Sequence, residues 1–200
     1  MFPSVDLTLE QIVDLLALGE DRLVEVGPIG AGGGGDVGGV LGHTQLEHAL
    51  QTAAVLRDWH PDDDELAVAG LVHDIGHLLD AVGVAGVGDA EHAAAGGAAV
   101  RAALGERVAT LVGLHVEAKR YLVADEGGYG GTLAADSVAS LALQGGAMTA
   151  GERRAFEALP LSAEAVVLRR ADESGKVEGL VVDDLGEWVP VLERLYAHDA

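Results

Sequence analysis

Residues 46–79 have the sequence "LEHALQTAAVLRDWHPDDDELAVAGLVHDIGHLL", in which imidazoles and a carboxylate interrupt otherwise aliphatic text. These polar groups are His48, the adjacent pair His73-Asp74, and His77. The apolar residues around them recur every three or four positions, which predicts buried helices over about 43–59 and 63–80. Burying even a neutral polar group without a partner costs about 2–7 kcal/mol, so the stretch predicts that a metal cation binds these side chains.

The composition limits the fold class. The chain has 200 residues, of which 49% are apolar, enough for one domain with a sizeable core. Alanine and leucine favour helices and no sustained alternating run predicts a sheet, so we expect an all-α helical bundle spanning residues 1–200. The sequence has no cysteine, which excludes disulfides, thiolate-bound zinc and a cysteine nucleophile.

The formal charge of −21 restricts the possible partners. It opposes binding to nucleic acid or to an anionic membrane, and an anionic ligand would need basic groups inside a cleft. Five basic residues lie within five positions of His115 or Asp172, which are themselves candidate metal ligands: Lys119, Arg120, Arg169, Arg170 and Lys176. Alternatively these residues, Arg120 and Arg170 above all, offset surface acids at helix ends. The amino terminus lacks the features of a secretion signal and no window is apolar enough to span a membrane, so we expect a cytoplasmic protein, either a monomer or a small homo-oligomer.

Further helices are expected from the same periodicity and from capping residues. Thr8 or Asp6 caps the first, and Thr149 forms a capping box with Glu152. The tail from residue 182 is amphipathic and interrupted by Pro190. The glycine-rich segment 27–42 is expected to be flexible, as a connector or as a lid over a cleft. The other expected helices span residues 8–18, 92–104, 107–122, 132–143 and 162–171.

Three later residues extend the set of metal-binding side chains. They are His92, His115 and Asp172, and they complete the order His, His-Asp, His, His, Asp along the chain. Four imidazoles and two carboxylates suit a pair of first-row transition ions, because a carboxylate can bridge two cations. His115 and Lys119 share a face with Val108, Leu111 and Val112, so both project into the same space.

The motifs "QLEHALQ", "HDIGHL", "HVEAKRYLV", "YGGTLAADSVASLALQGGAMTAGERRAFE" and "LRRADESGK" occur in this order between Thr44 and Lys176. Together they resemble the HD-domain phosphonate oxygenases. The resemblance implies a single HD-superfamily domain with a buried mixed-valent Fe(II)/Fe(III) centre. It also implies that the enzyme uses dioxygen to cleave the carbon–phosphorus bond of a small 1-hydroxyalkylphosphonate, releasing phosphate and a carboxylic acid.

The resemblance also assigns roles to individual residues. Asp74 bridges the two irons; one iron takes His48, His73 and Asp172, and the other takes His92 and His115. His77 and Lys119 are catalytic, and the family's substrate contacts match His77, Lys119, Ser137, Gln144 and Arg169. Each ligating imidazole should donate its second N–H to an acceptor, for which Glu47 and Glu91 are candidates.

The sequence departs from the family upstream of His48. Members that act on an aminated substrate carry a Tyr-x-x-Glu pair, and the aligned residues here are Gly38 and Leu41. We infer that no tyrosinate coordinates the metal before substrate binds. Any ammonium group of the substrate would pair with another acid, and Asp36 is a candidate. His43 either covers the open coordination position or is a solvent-exposed residue at a helix start. Two other functions remain open: a metal-dependent phosphohydrolase and a non-catalytic phosphonate-binding protein.

Overall fold

The computed structural model describes residues 5–24, 43–84 and 86–198, and this part of the chain is helical. Its only β-type pairing is an isolated antiparallel bridge between Leu23 and Thr44. The expected all-α class is therefore confirmed. The α-helices of the described residues are α1 (Leu9–Leu18), α2 (Gln45–Trp59), α3 (Asp64–Val72), α4 (His92–Asp125), α5 (Ala135–Leu143), α6 (Ala150–Glu157), α7 (Ser162–Ser174) and α8 (Leu185–His198).

The core lies between α2, α3, α4 and α7, which pack against one another, with α1 and α8 covering one side. Leu56 of α2, Leu111 of α4 and Leu168 of α7 are fully buried there. The helices predicted from apolar periodicity therefore form one contiguous core, as expected for a single bundle. None of the described helices combines the length and the apolar character needed to cross a bilayer.

The helix predicted over residues 63–80 is wrong in its second half. Helix α3 ends at Val72, and a 3-10 helix runs from Ile75 to Val82. Asp74 lies between them with φ −98° and ψ 10°, a sparsely populated conformation that occurs often at functional sites. His73 and His77 therefore do not lie on one continuous α-helix.

Helix α4 is two helical segments joined at Gly105, which has φ 80° and ψ 172°. This break agrees with the two helices predicted over 92–104 and 107–122. The segments approach closely, since a Cβ on Gly97 would lie 2.5 Å from the Ala109 carbonyl oxygen. Glycine at this position therefore lets His92 and His115, one on each segment, meet.

Other boundaries agree within a few residues. Thr8 and Thr149 cap α1 and α6, and both form capping boxes. Helix α5 starts three residues later than predicted, and α8 continues through Pro190 instead of being interrupted. The glycine-rich segment 27–42, with Asp36, Gly38 and Leu41, lies outside the described residues.

Candidate metal centre

The four histidines and two aspartates assigned to the metals converge from separate elements of the bundle. His48 comes from α2, His92 and His115 come from the two segments of α4, and Asp172 comes from the end of α7. His73 and Asp74 lie at the break after α3. The Asp74 side chain is 22% exposed, whereas the other five are at most 4% exposed. The cluster is thus buried and reaches solvent at its central carboxylate.

Asp74 lies between two pairs of imidazoles. Its Oδ2 is 3.8 Å from His48 Nε2 and 3.4 Å from His73 Nε2. Its Oδ1 is 3.4 Å from the Nε2 atoms of both His92 and His115. One carboxylate oxygen therefore faces each pair, as a bridging ligand would.

Each of these imidazoles donates from Nδ1 to a backbone carbonyl, which directs Nε2 toward the centre. His48 bonds Gly175 O at 2.9 Å, and His73 bonds Gly70 O at 2.7 Å. The corresponding acceptors for His92 and His115 are Asp89 O and Val112 O, both at 2.8 Å. Glu47 and Glu91, suggested as acceptors, do not serve this role: the Glu47 carboxylate caps the Thr44 amide, and His92 uses Asp89 instead.

The donor set fits two metal ions. His48 Nε2 lies 3.2 Å from His73 Nε2, and His92 Nε2 lies 3.0 Å from His115 Nε2. Two ligands at right angles, each about 2.1 Å from one ion, are about 3.0 Å apart, which matches both Nε2–Nε2 distances. Asp172 joins the first pair, with Oδ1 3.3 Å from His48 Nε2. The cluster could therefore hold a dinuclear centre. Two trios of side chains have ligand atoms close enough together for one ion: His48, His73 and Asp74, and Asp74, His77 and His92.

Burial and charge set the protonation of these side chains. Burial lowers the pKa of His115 to about 4 and also lowers the pKa of His73. Burial would lower the pKa of His48 too, but its hydrogen bond to Asp172 raises it overall. Although burial opposes ionisation, the neighbouring His73, His115 and His92 hold the pKa of Asp74 well below the usual range. Arg169, with His73 and Lys176, does the same for the pKa of Asp172. Ionised carboxylates and mostly neutral imidazoles are the protonation states in which these side chains bind metal ions.

Three cationic side chains lie beside the cluster and are almost completely buried. Lys119 is 5% exposed and Arg169 is 3% exposed. Lys176 Nζ is 3.9 Å from Asp172 Oδ1 and donates to Asp136 Oδ2 at 2.7 Å. Burial, reinforced by Arg169, lowers the pKa of Lys119 to about 8. Arg169 and Lys176 also pair with carboxylates, whereas Lys119 donates to the neutral Ser140 hydroxyl. In a chain with a charge of −21, such a group of buried cations is compatible with an anion site.

Arg120 and Arg170 pair with acidic side chains, as the alternative interpretation of these basic residues predicted. Arg120 pairs with Glu117 and Glu152, and Arg170 pairs with Glu126. These pairs offset surface acids and direct no charge at the histidine cluster.

Arg169 has a dense set of partners. It pairs with Asp172 and Glu173, and its Nη2 donates to Ser137 Oγ at 3.1 Å. Its Nε donates to the Tyr129 hydroxyl at 3.3 Å. Sequence reasoning missed Tyr129 and Glu173, although Glu173 is four residues from Arg169 on α7, where an ion pair is favourable.

The remaining predicted substrate contacts lie around the same cluster. The His77 ring stacks on the His92 ring with centroids 4.0 Å apart. Lys119 Nζ donates to Ser140 Oγ at 2.8 Å, a partner that the motifs did not single out. Gln144 Nε2 donates to Asp89 O at 3.0 Å, the carbonyl that also accepts from His92. Ser137 is 2% exposed and contacts Arg169 and Lys176.

His43 is buried, at 4% exposure, so the expectation of a solvent-exposed residue is wrong. Its ring centroid lies 6.1 Å from that of His48. His60 is exposed.

Comparison with known proteins relates the histidine and aspartate cluster to oxygenases. The family model described as myo-inositol oxygenase matches residues 40–96, which include His48, His73, Asp74 and His92. A hydroxymethylphosphonate dioxygenase of Gimesia maris is 39% identical over 78% of this chain and 79% of its own length. The [1-hydroxy-2-(trimethylamino)ethyl]phosphonate dioxygenase (glycine-betaine-forming) of Leisingera caerulea is 34% identical over 76% of this chain and 79% of its own length.

A shorter match links the chain to a second kind of oxygenase. Inositol oxygenase 1 of Arabidopsis thaliana is 49% identical over 39 residues, which is 20% of this chain and 12% of that protein. The phosphonate dioxygenases match across most of both chains, so they carry the assignment. On the strength of these matches, this chain belongs to the family of phosphonate dioxygenases.

Proposed function

We propose that this protein is a di-iron oxygenase that cleaves the carbon–phosphorus bond of a small 1-hydroxyalkylphosphonate. The overall reaction converts the phosphonate and one dioxygen into a carboxylic acid and phosphate, with all atoms accounted for. The observation that carries the proposal is the position of Asp74, which directs one oxygen toward each of two imidazole pairs. The relatives named as phosphonate dioxygenases support this choice of reaction.

In the proposed centre, His48, His73 and Asp172 would hold one iron and His92 and His115 would hold the other, with Asp74 as the ligand shared by both. Iron is proposed because of the family, since imidazole and carboxylate ligands alone do not select it over zinc or manganese. An Fe(II)/Fe(III) pair would supply the reduction of dioxygen and a Lewis acid for the substrate oxygens.

The protein's own residues would bind and orient the anion. Lys119, Arg169 and Lys176 offer cationic donors in a buried region, where charge interactions are stronger than at the surface. Ser137 and Gln144 would add neutral hydrogen bonds. His77 stacks on His92, and its ligand atom lies close enough to those of Asp74 and His92 to share an ion with them. Because the family resemblance assigns His77 to the substrate, we propose that it contacts the anion beside the second iron.

The test is aerobic incubation of the iron-loaded protein with hydroxymethylphosphonate, with phosphate and dioxygen measured together. We expect one phosphate released for each dioxygen consumed, and loss of both signals in His92→Ala. His60→Ala is the matched control, since His60 is exposed. Oxygen-independent phosphate release from phosphate esters would instead establish a phosphohydrolase, and phosphonate binding without turnover would establish a binding protein.

A further inference from the structure

The Arg169 guanidinium is held through all three of its nitrogens, and two of its partners have no role in the proposed function. Nε donates to the Tyr129 hydroxyl at 3.3 Å, and Nη2 donates to Ser137 Oγ at 3.1 Å and to the Glu173 carboxylate. Nη1 donates to Asp172, a proposed iron ligand. Arginine has five N–H donors, so protein partners use four of them. Within the described structure, the second N–H of Nη1 is the donor left for a ligand.

Glu173 links Arg169 to the start of helix α5. Its Oε1 accepts from the Ala134 amide at 2.5 Å, at the N-cap position of α5, and its Oε2 accepts from the Ser137 hydroxyl at 3.2 Å. It lies four residues after Arg169 on α7, a spacing at which opposite charges face each other. The Glu173 side chain is 14% exposed, so solvent screens these contacts weakly. One carboxylate therefore fixes both the guanidinium and the helix that carries Ser137.

Tyr129 holds a different part of the same guanidinium. It begins the short 3-10 helix Tyr129–Gly131, which follows α4. Its hydroxyl contacts Nε whereas Glu173 contacts Nη2, so together they restrict rotation of the guanidinium plane. In the described structure both side chains line one surface cleft, whose walls include none of the proposed metal ligands. Tyr129 and Glu173 therefore approach Arg169 from outside the metal cluster.

We propose that Tyr129 and Glu173 are positioning residues that hold Arg169 in the orientation that binds the phosphonate. An arginine that orders itself only when an anion arrives loses rotational freedom, and this loss weakens binding unless the planar fork is already held. A negative charge at Glu173 would by itself repel the anion. Positioning and repulsion therefore predict opposite effects of removing this carboxylate. This inference rests on the proposed function.

The test measures the dissociation constant of hydroxymethylphosphonate by calorimetry on the iron-loaded protein without oxygen. We expect Glu173→Ala to raise Kd about tenfold, as the loss of a charge-assisted hydrogen bond would. Glu173→Gln keeps one acceptor and Tyr129→Phe removes one neutral acceptor, so each should raise Kd about threefold. Iron content should stay at the wild-type value in all three variants. The matched control is Glu164→Ala, on the same helix with a side chain 41% exposed, which should leave Kd unchanged.

A double-mutant cycle shows whether the effect passes through Arg169. In an Arg169→Met background there is no guanidinium to hold, so adding Glu173→Ala should change Kd by less than about twofold. If Glu173→Ala does not fold, Tyr129→Phe carries the same cycle.

Three results would overturn this inference and leave the proposed function standing. An unchanged Kd in Glu173→Ala would show that Arg169 needs no positioning, and tighter binding would show that Glu173 competes with the anion for Arg169. Additive effects in the cycle would show that Glu173 acts on the structure in general. If the wild type does not bind hydroxymethylphosphonate, the proposed function fails, and this inference fails with it.

Discussion

Replacing Gly76 with alanine should remove one metal ion without unfolding the bundle. A Cβ on Gly76 would lie 2.0 Å from the His92 carbonyl oxygen and 2.7 Å from the His92 carbonyl carbon. Non-bonded atoms pack at about 3.5 Å, so the 3-10 helix and the start of α4 must separate by about 1.5 Å. Metal–ligand distances tolerate about 0.2 Å, so Asp74 and His92 could no longer share an ion.

We therefore expect Gly76→Ala to bind one iron per chain instead of two, measured by elemental analysis after anaerobic loading. Overpacking of this kind costs about 1–3 kcal/mol, which corresponds to a fall of about 2–12 °C in Tm for a domain of this size. The matched control is Gly113→Ala, since a Cβ at this helical position meets nothing within 4 Å. Two irons bound by Gly76→Ala with wild-type affinity would refute the argument that this contact positions the second site.

Three other predictions concern charge at the centre. Asp172→Asn should keep the ion held by His92 and His115 and lose the other, so the metal content per chain should halve. Asp58→Asn, at an exposed site, should leave the metal content unchanged. Full metal occupancy in Asp172→Asn would contradict the ligand assignment. Lys119 is a cation below its pKa of about 8 and neutral above it, so kcat/KM for a phosphonate should fall as pH rises through about 8. Bound metal ions would move this fall to lower pH, and Lys119→Arg should lack it; a fall that persists in Lys119→Arg would exclude Lys119 as its source. The pKa of His48 is raised above the ordinary value of 6.5, so a metal ion must displace its proton. Zinc affinity should therefore increase with pH through and above 6.5, by up to about tenfold per pH unit. Calorimetric zinc affinities that do not change with pH would contradict this prediction.

The helical bundle and the membership of the cluster could be predicted from sequence because both have strong local signals. Apolar periodicity located the buried faces, and the capping box at Thr149 and Glu152 located a helix start. The resemblance then supplied the order of the six proposed metal ligands, and the structure brings these side chains together.

The break at His73-Asp74 could not be predicted, because apolar residues continue through it. Ile75, Leu78 and Leu79 are buried in the 3-10 helix as they would be in an α-helix, so the pattern is the same for both. The backbone carbonyls that accept hydrogen bonds from the imidazoles could not be predicted either. Every residue has such a carbonyl, so the sequence does not indicate which ones accept. The sequence left both a buried and an exposed position open for His43, because its burial depends on contacts distant in sequence, including the bridge between Leu23 and Thr44.

The most direct test of a shared dinuclear centre is a crystal structure of the iron-loaded protein with anomalous diffraction measured at the iron edge. We predict two iron peaks per chain, one on each side of the Asp74 carboxylate, with His48, His73 and Asp172 around one and His92 and His115 around the other. A single peak, or iron held elsewhere with Asp172 or His92 turned away, would contradict the account.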